Sequence, residues 1–209
     1  MKLKSVLILL NGELRDPRSA RAAARRAGAV ICADGGARHA VALRFPPDFI
    51  VGDMDSLPKA RPKAWKKTVY WCDFDPERSD LDKAFEFARS LGAREVRIAG
   101  VLGGGLDHEL VNLAALEENS VGLGLTVIDG GTARLLGRGR HRLPLKKGAR
   151  FSLLAAPRAR LSLAGARFGL KNEILRRGSR GLGNRAEGPV LLTVSEGRVW
   201  VIDAARFRG

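Results

Sequence analysis

Four short stretches of the chain join carboxylates to glycines in a way that suits phosphate chemistry. They are Ala33-Asp34-Gly35-Gly36, Gly52-Asp53-Met54-Asp55-Ser56, Asp75-Pro76-Glu77-Arg78-Ser79-Asp80 and Gly103-Gly104-Gly105-Leu106-Asp107-His108. Carboxylates repel phosphate unless a divalent cation lies between them. Mg2+ takes oxygen ligands octahedrally and keeps several waters, which leaves room for phosphate oxygens. Glycines let backbone N–H groups approach a phosphate, and a helix N-terminus beyond them adds favourable partial charge. Asp53 and Asp55 stand two residues apart, so in an extended segment both side chains leave one face and could share an ion. Each stretch also has a plainer reading. Asp is common in turns and at helix starts, as at Asp80 and Asp82, and Gly35-Gly36 or Gly103–Gly105 would serve any tight turn.

Other chemistries find less support. No Lys-Ser/Thr follows Gly103–Gly105, so it is not a Walker loop, and it lacks the dinucleotide-binding fingerprint. His39, His108 and His141 share no zinc-ligand spacing with Cys32 and Cys72. No Gly-x-Ser-x-Gly element occurs. Cys32 lies in an apolar run and reads as inert core. Trp65 and Trp71 read as packing residues, whereas Trp200 could pack or stack on a flat heterocycle.

The elements that carry these loops alternate. Ser5–Leu10 is a continuous apolar run that reads as a strand buried on both faces, and Ala29–Ala33, Phe49–Val51, Thr68–Trp71, Glu95–Ala99 and Leu125–Ile128 read as further strands. Helices are expected at 18–27, 37–43, from Ser79 or Asp80 to about Leu91, and from Asp107 or His108 to about Asn119. Such alternation implies a doubly wound, mostly parallel sheet, with ligands at the carboxyl ends of its strands, where all four loops fall. Beyond Gly130-Gly131 the pattern changes to short strands at 134–136, 150–154, 159–163, 190–194 and 199–202. Ser195–Gly197 reads as a hairpin turn between the last two. The expected organisation is an α/β domain over residues 1–130 and a smaller all-β sandwich over 131–209.

Charge divides the chain at the same place. Residues 1–130 hold 19 basic and 18 acidic side chains, whereas 131–209 hold 18 basic and 4 acidic ones. The basic segment would attract a polyanion or a small phosphorylated ligand. A general preference for arginine, 27 Arg against 10 Lys, explains it equally well. The balance of 45% hydrophobic and 28% charged residues is that of a soluble globular chain. Val6–Leu10 is far shorter than the ~20 residues of a membrane span. A cytoplasmic protein with reduced thiols and no signal peptide or anchor is expected.

In this order and spacing, the four loops resemble those of the thiamine pyrophosphokinase family. That family has an Asp-Gly-Gly loop, a Gly-Asp-x-Asp-Ser loop, Thr/Ser-Asp with Lys three residues on, and a Gly-Gly-Arg-x-Asp-His loop. The corresponding residues are Asp34-Gly35-Gly36, Gly52–Ser56 after Pro47-Asp48, Ser79-Asp80 with Lys83, and Gly103–His108 with Asn112. Asn11-Gly12, Gly169-Leu170-Lys171 and Gly181-Leu182-Gly183-Asn184 are also family-like, so the resemblance spans essentially the whole chain. It departs at Gly105, where the family usually has Arg, at Gly183 in place of Ser, and at Asn172 in place of Tyr.

The resemblance implies transfer of the β,γ-diphosphate of ATP to the hydroxyl of thiamine, giving thiamine diphosphate and AMP. Asp53, Asp55 and Asp80 would be catalytic, and together with Asp34 would hold Mg2+. ATP would meet Asn11, Asp34, Gly35, Gly36, Ser79, Lys83, Gly103, Gly104, Gly105, Asp107, His108 and Asn112. Asn184 and Trp200 would help to bind thiamine, in a homodimer with the acceptor between subunits. Lys83 or Arg78 would replace the cation missing at Gly105. The departures leave open a pterin-alcohol pyrophosphokinase or a non-catalytic nucleotide sensor. A nucleic-acid module leaves the acidic loops unexplained, so nucleic acid is not an expected partner.

Overall fold

The computed structural model describes residues 3–59 and 62–203. The chain divides into two compact units, Met1–Asp129 and Gly130–Gly209. The first contains β1 (Ser5–Leu9), α1 (Pro17–Ala24), β2 (Ala29–Ala33), α2 (Ala37–Ala42), β3 (Phe49–Gly52), β4 (Val69–Cys72), α3 (Asp80–Ser90), β5 (Glu95–Ala99), α4 (Leu106–Asn119) and β6 (Gly124–Ile128). Its six strands are parallel, in the order β6-β5-β1-β2-β3-β4. The fold is mixed α/β, built on a large sheet.

Burial explains the sequence of the central strands. β2 is buried at all five positions and β1 at the last four, so both are runs of aliphatic and small residues without alternation. Leu7, Leu9, Val30, Cys32 and Ile50 share one core cluster with Ala20, Ala23 and Ala24 of α1. Pro17 begins α1, and the Asp16 carboxylate accepts from Ser19 N at 2.9 Å. This helix stops at Ala24, short of the expected Ala27, because Gly28 N is drawn to Ser5 O to start β2. Trp65 is buried as expected, but Trp71 is half exposed and rests on the Phe87 ring at 5.2 Å.

The second unit is all β: β7 (Thr132–Leu136), β8 (Gly139–Leu143), β9 (Arg150–Ala166), β10 (Leu170–Arg176) and β11 (Asn184–Asp203). Its core gathers Phe151, Leu153, Leu161, Leu163, Val190, Leu192, Val194, Val199 and Val201. The expected hairpin at Ser195–Gly197 does not form. Both flanking runs belong to the single strand β11, whose partners on β9 descend from Ala164 at Leu191 to Ser152 at Ile202. Gly197 has φ +73 and lies against the Arg158 carbonyl, so it makes a bulge inside a continuous strand rather than a reversal. The expected strands at 150–154 and 159–163 likewise merge into β9. β8 and β10 are strands that the sequence reading does not anticipate.

Candidate active site

The topology of the first unit opens a crevice where the acidic and glycine loops end. The chain steps outward from β1 to β4, then returns to place β5 on the other side of β1. The loops after β1 and β5 therefore diverge, and a ligand site is favoured between them. A cleft of about 490 Å³ lies there. Its lining includes Asn11, Gly12, Asp53, Ser79, Asp80, Lys83, Gly104, Gly105, His108 and Asn112. Gly35 and Gly36 are buried against the Asn11 side chain and the Leu9 carbonyl, where a Cβ would collide.

Four carboxylates converge on one side. Asp34 is 1% exposed and has a positive φ of 36°. Its Oδ2 accepts from Ser56 N at 3.0 Å, while its buried Oδ1 has no hydrogen-bond partner among the described residues. Asp34, Asp53 and Asp55 can each bring one oxygen within 4.8 Å of the others. Met54 has φ 73°, which turns the chain so that the two aspartates flank it, and Asp55 N donates to Asp53 Oδ1. Gly52 is required beneath them. Its φ is +145°, and a Cβ there would lie 2.8 Å from Asp34 Cβ and 3.0 Å from Asp80 Oδ1.

The start of α3 separates a structural aspartate from a site aspartate. Ser79 caps the helix by accepting from Asp82 N, and the Asp82 carboxylate closes the capping box on Ser79 N at 3.1 Å. Asp82 also accepts from Asn119 Nδ2. Burial alone would raise its pKa, but the Ser79 and Asn119 bonds outweigh this and lower it. Asp80 faces the other carboxylates instead. Burial first, then Asp34, pushes its pKa up to about 6, against the pull of Lys83. Asp34 is raised as well, by burial and by Asp53 and Asp55, with the Ser56 amide opposing. A buried, unpartnered oxygen among carboxylates that repel one another fits a hard divalent cation.

The other side of the cleft is made by the β5–α4 loop. Gly105 is the N-cap of α4 and supplies no side-chain cap, and Gly104, Gly105, His108 and Glu109 line the cleft. The Asp107 carboxylate turns onto His108 N at 2.9 Å. Gly103 N donates to Glu109 Oε1 at 2.6 Å, and Asn112 Nδ2 donates to the Val101 carbonyl. The β1 loop is clamped from α2: Arg38 donates to the Asn11 and Gly12 carbonyls. His39 Nε2 lies 2.7 Å from Gly12 O and acts as the donor there. Burial, with nearby Arg38, lowers the His39 pKa against the opposing Gly12 bond and so favours the neutral ring.

The two expected replacement cations differ. Lys83 is 5% exposed, lines the cleft and donates from Nζ to the Asp73 carbonyl at 2.8 Å. Arg78 also lines the cleft, but its guanidinium is held by Asp73, Asp75 and Glu86. Nothing in the sequence signals these backbone-holding roles of Glu109, Arg38 and His39. No spacing marks them, because each acts on a backbone group distant in sequence or folded back over a turn.

The expected thiamine residues lie in the second unit and are not alike. Asn184 lines a pocket of about 460 Å³ with Phe168, Leu170, Glu173, Arg180 and Leu182. Its amide is held by the backbone: Oδ1 accepts from Phe168 N and Arg185 N, and Nδ2 donates to Phe168 O. Trp200 is 7% exposed and sits within β11, opposite Leu135 of β7.

Residues 20–126 match the family described as thiamin pyrophosphokinase, catalytic domain. No curated protein sequence matches the chain. Among solved structures, the thiamine pyrophosphokinase of Bacillus subtilis is similar at 18% identity and a TM-score of 0.80, covering 98% of this chain and 100% of that one. That of Geobacillus thermodenitrificans shares 21% identity, with a TM-score of 0.79 and coverage of 98% and 99%. That of Candida albicans shares 16% identity, with a TM-score of 0.72 and coverage of 96% and 89%.

Proposed function

The chain belongs to the thiamin pyrophosphokinase family, and from that premise we propose that it transfers the β,γ-diphosphate of ATP to the hydroxyl of thiamine, releasing AMP. The observation that carries this is a carboxylate cluster, Asp34, Asp53 and Asp55 with Asp80 in electrostatic reach, that enters the cleft through Asp53 and Asp80, opposite a glycine loop and a helix N-terminus. Asp34, Asp53, Asp55 and Asp80 would hold Mg2+, and the unpartnered Asp34 Oδ1 supports that assignment. When bound, the cation neutralises phosphate oxygens next to carboxylates. Lys83, the Gly103–Gly105 amides and the first turn of α4 meet the remaining phosphate charge. Asn11, Gly35 and Gly36 shape the floor. Such a site works chiefly by positioning and charge neutralisation.

The finer architecture is read in the same terms. The first unit is a doubly wound catalytic domain, as its strand order supports. The second is a β-sandwich that contributes Asn184 and Trp200 to the thiamine site and takes part in dimerisation. A homodimer is supported by Leu106, Leu110 and Leu113, spaced along one exposed side of α4, with Leu106 73% exposed. The basic second unit is not read as a nucleic-acid site, since Glu196 engages Arg158 and Arg160, and Glu173 engages Arg180. No described helix is long and apolar enough to cross a membrane, and we place the enzyme in the cytoplasm.

The test is AMP release from ATP and Mg2+ with thiamine and with pterin alcohols as acceptors. AMP formed with thiamine and not with the pterins is the expected result. AMP with a pterin alone would favour that alternative. Mg–ATP binding without AMP release would mark a nucleotide sensor.

A further inference from the structure

We infer that Glu109 fills the phosphate cradle of this enzyme in its resting state and thereby weakens its affinity for Mg–ATP. The inference rests on the function proposed above. A carboxylate oxygen and a phosphate oxygen are the same kind of acceptor for a backbone amide. Gly103 N donates to Glu109 Oε1 at 2.6 Å, a short charge-assisted bond, and Glu109 lines the nucleotide cleft.

The amide is fixed in direction before any ligand arrives. Gly103 has φ +88° and packs on Glu13, whose backbone N would lie 2.9 Å from a Cβ at Gly103. Glu13 N is tied in turn to Leu102 O. The loop therefore presents a preset donor, and the donor is taken by a side chain from the first turn of the next helix. The neighbouring Asp107 carboxylate covers His108 N in the same way.

The position of this contact gives it consequence. The family's arginine would stand at Gly105, two residues away, and would draw phosphate in. Here the same loop carries no cation and holds a carboxylate instead. Lys83 and Arg78 belong to α3 and to the loop before it. Arg15, the cation paired with Glu13 at 3.0 Å, is also shared with Asp129. A triphosphate must therefore displace Glu109 from Gly103 N and leave it as a like charge beside its own oxygens.

The experiment measures binding of Mg–ATP without acceptor by calorimetry, with inorganic pyrophosphate plus Mg2+ as a second probe. The proteins are the natural chain, Glu109→Gln, Glu109→Ala and Glu118→Gln. Glu118 has the same charge on the same helix, in its last turn. Glu109→Gln keeps an acceptor but removes the charge, so Kd should fall about fivefold for both probes. Glu109→Ala should bind at least as tightly, and Glu118→Gln should stay within about twofold of the natural chain. Equal or weaker binding by both Glu109 variants, with their melting temperatures preserved, would show that Glu109 only braces the loop. Failure of all four proteins to bind Mg–ATP would overturn the proposed function as well. Binding by the natural chain without tightening in the variants would overturn this inference alone.

Discussion

At the β2–β3 edge of the cleft, Asp34 buries an oxygen that nothing in the described fold satisfies, and Asp80 is held at a pKa of about 6 by burial and by its neighbours. At the β5–α4 edge, the Gly103 amide is satisfied by Glu109 and the His108 amide by Asp107. Burying an unpartnered or repelled carboxylate costs free energy, so the first edge is stable only at the expense of the rest of the fold. The second edge costs little because the chain completes its own hydrogen bonds. The difference separates two ways of making a binding site. One edge keeps an unmet demand that a cation can meet, and the other meets its demand and must be reopened by the ligand.

The contrast would break first at the carboxylates. Asp53→Asn keeps the acceptor for Asp55 N and removes a charge from the metal-holding group. We expect AMP release to fall at least about 100-fold, the scale of losing one electrostatic group from a preorganised site, with the melting temperature little changed. Near-normal turnover of this variant at limiting Mg2+ would end the assignment. Asp82→Asn, two residues past Asp80, should do the reverse. It weakens the capping box, costing about 1 kcal/mol in denaturant unfolding, and should leave most of the turnover. Gly52→Ala should do both kinds of harm. It forces a side chain into a left-handed position against Asp34 and Asp80, at about 1–3 kcal/mol, and it should also lower kcat by disturbing the same two carboxylates.

Smaller effects are expected from the cations. Lys83 is buried in the cleft wall, so Lys83→Ala should raise the KM for ATP about tenfold, as expected for one lost charge-assisted contact. Arg78 is spent on Asp73, Asp75 and Glu86, so Arg78→Ala should change KM less than about threefold. The reverse ranking in steady-state kinetics would mean that the guanidinium leaves its carboxylates to meet phosphate.

Much of this site was legible because its loops fall at the carboxyl ends of parallel strands. The runs at β1 and β2 were readable from unbroken apolar burial, and the start of α3 from Ser79. What escaped was set by contacts rather than by pattern. Which of Asp80 and Asp82 caps the helix depends on side-chain direction, and Asn119, 37 residues away, helps to fix it. Glu109 reads as an ordinary first-turn acid until it meets Gly103 N. The second unit was harder for a related reason. β10 carries Lys171, Asn172, Glu173 and Arg176 and buries only Leu175, so it has too little apolar pattern to read. Gly197 signals a turn by type, yet the neighbouring β9 keeps β11 running straight through it.

The smallest effect expected is on stability, and its sign is opposite to that of an ordinary carboxylate. Asp80 and Asp34 have folded pKa values above the unfolded one near 3.9. Below pH 4 both are protonated in either state, and they cost nothing. As pH rises from about 4 to about 6, folded Asp80 keeps a proton that the unfolded state has released, so metal-free stability falls across that window, and Asp34 acts in the same direction. Asp82 and Asp16, whose folded pKa values are lowered, act the other way: their contribution is present above pH 4 and is lost as acid protonates them. Asp34→Asn removes one repelling charge, including the largest charge acting to raise Asp80. Compared with the natural chain, its metal-free melting temperature should be unchanged or lower at pH 4. At pH 7.5 it should be about 2–4 °C higher, what roughly 1 kcal/mol gives a chain of this size, because Asp80 is only half-buried and Asp53 and Asp55 are exposed, so solvent screens their repulsion. Added Mg2+ should raise the melting temperature of the natural chain more at pH 7.5 than at pH 4, and should do less for Asp34→Asn. A variant that melts below the natural chain at both pH values would mean that the Asp34 bond to Ser56 N outweighs the repulsion, and that this edge of the cleft carries no stored cost.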